Sequence, residues 1–204
     1  MDVYRTGSGN KCIIWCYDIY GFTVTGVDDD WDDKVTFLLQ GGRTRQLCDT
    51  LGDAGYLVIL PDFFRGEWRV SDWVMLWQVR SNTQSQGVTA PDLCAWLATQ
   101  SDWYRERQAE VCDKILPYAR AQGATVFGSV GTCWGGYMVA RLSSYGEFRA
   151  GVSLHPATSF ITETVNKEEL YEVLDEVACP QMVLTAGNDH KNEKPGGLAN
   201  KVWR

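Results

Sequence analysis

Apolar runs and helical stripes alternate along this chain. The segment Lys11-Cys12-Ile13-Ile14-Trp15-Cys16-Tyr17 is almost unbroken apolar, the pattern of a strand covered on both faces, and Asp18-Ile19-Tyr20-Gly21 ends it. The spacing predicts a helix over 44–54, with Leu47 and Leu51 four apart on one face, before Gly55 breaks it. Tyr56-Leu57-Val58-Ile59-Leu60 is a second buried strand, stopped by Pro61-Asp62. The aromatic-rich middle, 68–101, predicts short helices. A single longer helix follows over 102–122, capped by Asp102, with Val111, Ile115 and Tyr118 along one face and Gly123 at its end. A third strand over 124–130 runs into a glycine-rich turn and a helix over 134–144. A fourth strand covers 148–154, a short helix 168–177 and a fifth strand 182–187. Strands alternating with helix-bearing connections predict an α/β domain, a mostly parallel sheet with helices on both faces. No repeat or linker interrupts it, so 1–204 reads as one domain.

Composition narrows the function classes. The 204 residues are 45% hydrophobic and 22% charged, ordinary for a globular chain, and the formal charge is −7. No basic stripe is present to neutralise phosphates, which excludes a nucleic-acid partner. No run of eighteen apolar residues predicts a membrane span, and the N-terminus lacks the apolar core of a signal peptide. Seven cysteines, an odd count, include Cys12, Cys16 and Cys94 in apolar runs. Buried single thiols fit a reducing compartment, hence the cytoplasm, and no CxxC pair suggests zinc. The stretch 26–42 carries Asp28-Asp29-Asp30-Trp31-Asp32-Asp33 and reads as a solvated acidic insertion. A calcium loop is its sharper alternative, but the glycine and terminal Glu are out of place. No cofactor or metal is implied.

The chemistry concentrates at Gly131-Thr132-Cys133-Trp134-Gly135-Gly136. It lies between a predicted strand and helix, at the sheet end where ligands bind, with the glycine–x–nucleophile–x–glycine spacing of a nucleophile elbow. Flanking glycines let the backbone double back while the thiol projects free. The helix start is expected to lower the thiol pKa, and the Trp134 N–H to face a forming oxyanion.

These residues, followed by Phe148-Arg149-Ala150-Gly151-Val152-Ser153, resemble the nucleophile region of the dienelactone hydrolase family, including its carboxymethylenebutenolidase-like branch. Gly55 through Gly66, Asp18-Ile19-Tyr20-Gly21 and Ala186-Gly187-Asn188-Asp189 resemble three further blocks in the family's order. The resemblance implies an α/β-hydrolase fold and hydrolysis of a lactone or small carboxylic ester. It implies Cys133 as nucleophile, Asp189 as the triad acid, and the N–H groups of Ile19 and Trp134 as the oxyanion hole. Asp18 takes the place of the family's glutamate. Arg65 is the arginine that would hold an anionic substrate's carboxylate, a solvated surface arginine being the plainer alternative.

The family's triad histidine follows its acid by thirty or more residues, whereas this chain stops fifteen residues after Asp189. The two histidines are His155 and His190. His190 adjoins the acid on one loop. His155, in Leu154-His155-Pro156, is either a substrate contact or a packed, hydrogen-bonded histidine. A missing last strand and helix would leave an apolar edge and face uncovered, and the sheet reads as C-terminally incomplete. Two functions therefore stand. One is a hydrolase in which Cys133 is essential and labels first with iodoacetamide. The other is a catalytically impaired subunit in a larger assembly, with Trp31, Trp68, Trp73, Trp77, Trp96 and Trp103 free to anchor a protein partner or pack a cap. A redox-sensing thiol is a third reading without an evident resolving cysteine.

Overall fold

A computed structural model describes residues 1–19, 42–65, 95–98 and 103–202. Six strands form one sheet: β1 (Val3–Thr6), β2 (Lys11–Cys16), β3 (Leu57–Pro61), β4 (Val126–Thr132), β5 (Phe148–Leu154) and β6 (Gln181–Leu184). Their order is β1-β3-β2-β4-β5-β6, with β1 antiparallel to β3 and every other pairing parallel. All five residues of β3 are buried, which explains a run with no polar alternation. The short edge strand β1 is not evident from sequence, because Val3-Tyr4-Arg5-Thr6 has only a weak two-residue alternation. It is held by pairing with β3 (Tyr4↔Leu60, Thr6↔Val58) and by the Tyr4 hydroxyl donating to Asp49 at 2.6 Å.

The helices are α1 (Gly42–Asp53), α2 (Trp103–Glu110), α3 (Leu116–Ala121), α4 (Trp134–Leu142), α5 (Leu170–Asp175) and α6 (Leu198–Val202). Wider π-helical turns cover Val111–Ile115 and Phe160–Val165. The first joins α2 to α3 in the region expected to be one regular helix. Pro117 has no N–H to return to the residue four before it, and the Leu116 N–H bonds instead to the Val111 carbonyl, five back. The extra residue rotates α3 about its axis, so Leu116 and Ala119 face the core while the expected Tyr118 is exposed. In α1 the buried contact is Cys48, and Leu47 stays exposed.

The two sheet faces differ. On one, α4 lies across β2, β4 and β5 and is buried along its whole length. On the other, Leu47 and Leu51 of α1 border an open apolar groove of about 540 Å³ floored by Ile13, Val130, Val152 and Leu154. Met182 and Leu184 on β6, the last strand in the sheet order among the described residues, are also exposed. The acidic residues 26–41 lie outside the described residues, as do Asp102, Cys94, Trp31, Trp68, Trp73 and Trp77. Trp96 is buried with its ring centroid 5.2 Å from that of Phe64. Among the described residues no helix is long and apolar enough to cross a membrane.

Candidate active site

The elbow is built by close approach of three backbone segments. Cys133 directly follows β4 and precedes α4 with φ 53° and ψ −113°, a left-handed conformation that costs energy in any residue bearing a Cβ. A Cβ on Gly131 would lie 2.2 Å from the Gly135 carbonyl oxygen. One on Gly135 would lie 2.0 Å from the Cys16 carbonyl oxygen and 2.7 Å from that of Tyr17. Glycine is therefore required at both places, as the spacing predicted. The Cys133 N–H donates to the Leu154 carbonyl at 3.1 Å, and its own carbonyl accepts from the Ala157 N–H at 2.9 Å.

Trp134, buried directly after the cysteine, packs against Tyr17, Phe63 and Phe64, with ring centroids 6.2, 5.8 and 4.7 Å away. The Tyr17 hydroxyl accepts from the Phe64 N–H at 2.7 Å and donates to Asp62 at 3.3 Å. This cluster ties the ends of β2 and β3 to the start of α4. Asp18 and Ile19, both partly buried, continue from β2 beside it.

The thiol does not follow the electrostatic expectation. Burial pushes Cys133 up to about 11, and the negative charge of Asp18 pushes the same way. The Trp134 N–H pulls it down, but the charges of Asp189 and Glu193 add to the rise. A helix start does favour the thiolate, yet here desolvation and three carboxylates outweigh it. The resting group is a neutral thiol.

Asp189 follows β6 and is buried, with its side chain 1% exposed. Its Oδ2 accepts from the Ala186 N–H at 2.8 Å, and its Oδ1 pairs with Nδ1 of His155. His155 is thus hydrogen-bonded, as one of its two expected readings has it, but half exposed rather than packed in the core. It also has a left-handed backbone, φ 46°, with its N–H donating to the Leu184 carbonyl at 2.8 Å. His190 is exposed, and its Nδ1 accepts a long bond, 3.4 Å, from the Asn192 N–H.

Glu193 carries no mark in the sequence. It is buried, its Oε1 accepts from the Ser159 N–H at 2.7 Å, and burial pushes its carboxyl up despite that bond. With Lys194 donating to the Gly187 carbonyl at 2.6 Å, it fastens the acid loop to the segment after His155. A lone glutamate on a charged loop gives no sequence signal of burial. Arg65 is half exposed, and its guanidinium lies 3.3 Å from Glu110 and 3.9 Å from Glu106, carboxylates of α2, in keeping with the surface-arginine alternative. Among the described residues, no group of histidine, cysteine and acidic side chains is arranged to hold a metal ion.

A mostly parallel sheet with a tight strand-to-helix elbow on a central strand defines an α/β-hydrolase fold. The sequence model of the dienelactone hydrolase family matches residues 40–203, and the chain belongs to that family. The carboxymethylenebutenolidase homolog of Homo sapiens is 30% identical over 156 residues, covering 72% of this chain and 50% of the relative. Its counterpart in Mus musculus is 36% identical over 118 residues, covering 55% and 40%. The chain spans about half the length of the curated relatives it matches. Among solved structures, a Klebsiella pneumoniae protein assigned as a dienelactone hydrolase superposes with a TM-score of 0.53 at 15% identity, covering 89% of this chain and 65% of that one. A structure described with two metagenome-derived lipolytic enzymes, LipS and LipT, gives 0.51 at 11% identity, covering 93% and 77%. These two likenesses show the fold alone.

Proposed function

We propose that this protein hydrolyses a lactone or small carboxylic ester through an acyl-enzyme on Cys133. The observation that carries the reading is the strained Cys133 itself, held by glycines that tolerate no substitution at the end of a central strand. Attack by sulfur on the ester carbonyl gives a tetrahedral oxyanion, which the N–H groups of Trp134 and Ile19 would stabilise. Collapse expels the alcohol and leaves a thioester, and water then releases the acid. Asp189 is the acid of the site. Burial first, and then the charge of Asp18, keep the resting sulfur protonated. Arg65, already matched by Glu110, lends no support to an anionic substrate. The six cysteines among the described residues are all unpaired, which supports a reducing compartment and a cytoplasmic location.

The test is hydrolysis of p-nitrophenyl acetate and of a simple γ-lactone, with intact-mass detection of acylated protein. Cys133→Ala should abolish both the acyl adduct and turnover. Equal rates for Cys133→Ala and the natural protein would refute the reading. The open apolar groove beside Leu47 and Leu51 favours a second reading, a subunit whose sheet face is covered by a protein partner. That reading predicts no acyl adduct and a partner that co-purifies in stoichiometric amount.

A further inference from the structure

The elbow has two walls. On one side Gly135 presses on the Cys16 and Tyr17 carbonyls at the end of β2, a strand fixed by its pairing with β3 and β4. On the other side lies the segment after β5, which belongs to no strand. A Cβ on Gly136, in the first turn of α4, would lie 2.6 Å from the Pro156 Cβ. The Ala157 N–H donates to the Cys133 carbonyl at 2.9 Å. Residues 158–165 then turn helical, with the Ile161 N–H donating to the Ala157 carbonyl at 2.9 Å. Ala157 therefore stands at the helix N-cap, where a Ser, Thr, Asn or Asp side chain normally accepts from the second or third helical N–H. Alanine has no such acceptor. The second N–H, that of Ser159, donates instead to Glu193 at 2.7 Å, on the loop that carries Asp189. Glu193 is 5% exposed, and burial works against its charge. A cap alone does not require this, because Asn or Ser at 157 would supply one locally without burying a carboxylate. The charged and titratable groups that face Glu193 are Asp189 and His190 on its own loop and Cys133 at the elbow.

We propose that Glu193 is a positioning residue for the nucleophile: by capping the helical stretch at Ser159 it holds Pro156 and Ala157 against the elbow. This rests on Cys133 being the nucleophile. Strand pairing sets the β2 wall, whereas the Pro156 wall is tied to the acid loop through the Ser159 bond. Displacing that wall moves the Cys133 carbonyl, and the sulfur with it. A misplacement of about 1 Å is enough to slow attack by about 100-fold. Glu193 has an electrostatic effect as well: behind burial, Asp18 and Asp189, its carboxylate opposes ionisation of the thiol. The two effects separate by substitution. Glutamine keeps the acceptor and the reach but loses the charge; aspartate keeps the charge and loses a methylene of reach.

The experiment compares the natural protein, Glu193→Gln, Glu193→Asp and, as a control on the same helical stretch, the exposed Glu163→Gln. The burst of p-nitrophenol and the mass of acylated protein report acylation by p-nitrophenyl acetate. Iodoacetamide modification of Cys133 at pH 8 reports ionisation of the sulfur independently of acyl chemistry. Glu193→Asp should slow acylation by about 10-fold or more, with alkylation within threefold of the natural protein. Glu193→Gln should acylate no more than threefold slower than the natural protein, yet alkylate about threefold faster or more. Glu163→Gln should change neither rate. Hydrogen exchange of the Ser159 amide should quicken in Glu193→Asp and stay unchanged in Glu193→Gln. Acylation of Glu193→Asp within threefold of the natural protein, or Glu193→Gln as slow as Glu193→Asp, overturns the positioning role and leaves the nucleophile standing. If Glu193→Asp does not fold, Glu193→Gln decides alone: quickened exchange at Ser159 or unchanged alkylation overturns the proposal. Absence of any acyl-Cys133 in the natural protein overturns both the hydrolase reading and this one.

Discussion

The resting state of Cys133 can be tested without knowing a substrate. Its thiol is pushed from an ordinary 9.0 up to about 11, by burial first and then by Asp18. Two units leave about 100-fold less thiolate than an ordinary cysteine at pH 8. The more basic thiolate is intrinsically the better nucleophile, recovering about 6- to 10-fold. Alkylation by iodoacetamide at pH 8 should therefore run about 10-fold slower than for an unhindered free cysteine. Steric access scales every rate equally, so the sharper observable is the pH at which the rate levels off. Peptide mass spectrometry of Cys133 between pH 6.5 and 11 should show a tenfold rise per unit with no plateau below pH 10. Asp18→Asn should move the curve to lower pH. A plateau below pH 9 in the natural protein would refute the reasoning and restore the helix start as the dominant influence. Cys112 is also pushed to about 11, so labelling order among the cysteines reports access rather than activation.

Packing and charge give two further outcomes. Gly135→Ala would place a methyl 2.0 Å from the Cys16 carbonyl oxygen with backbone on every side, so β2 or α4 must shift; urea unfolding should show a loss of about 3 kcal/mol or more. A loss under ~1 kcal/mol would mean the elbow is looser than described. Glu110 is opposed by burial, yet bonds from Lys114, Arg65 and Arg107 outweigh it and lower its carboxyl from 4.5 to about 2. A depressed carboxyl stabilises the fold above pH 4.5, and that contribution is lost as pH falls towards 2. The full shift corresponds to about 3.4 kcal/mol, but Lys114 and Arg65 are well exposed, so Glu110→Gln should cost about 1–2 kcal/mol at pH 7. The gap between the urea midpoints of the two proteins should shrink to about a quarter of its pH 7 size at pH 2.5; a gap undiminished at pH 2.5 would exclude the electrostatic origin.

The nearly unbroken apolar runs at 11–17 and 56–60 left little freedom in the fold, because they fit interior strands of a parallel sheet, and all five residues of β3 are indeed buried. The glycines around Cys133 likewise determined the elbow locally: Gly131 and Gly135 meet carbonyl oxygens where any side chain would clash. Local pattern was weaker where backbone geometry intervened, as at Pro117, whose missing N–H widened the helix and turned Tyr118 outward. Electrostatics lay beyond it altogether. The thiol's pKa depends on Asp18, Asp189 and Glu193 gathering from segments up to 175 residues apart, and Arg65 found its carboxylates on a helix about 40 residues on. The pairing of His155 with Asp189 has the same origin. Thirty-four residues of chain say nothing about it, whereas adjacent parallel strands bring their C-terminal ends within side-chain reach. Short-range sterics are written in the order of residues; charge and proton partners are decided by what the sheet places side by side.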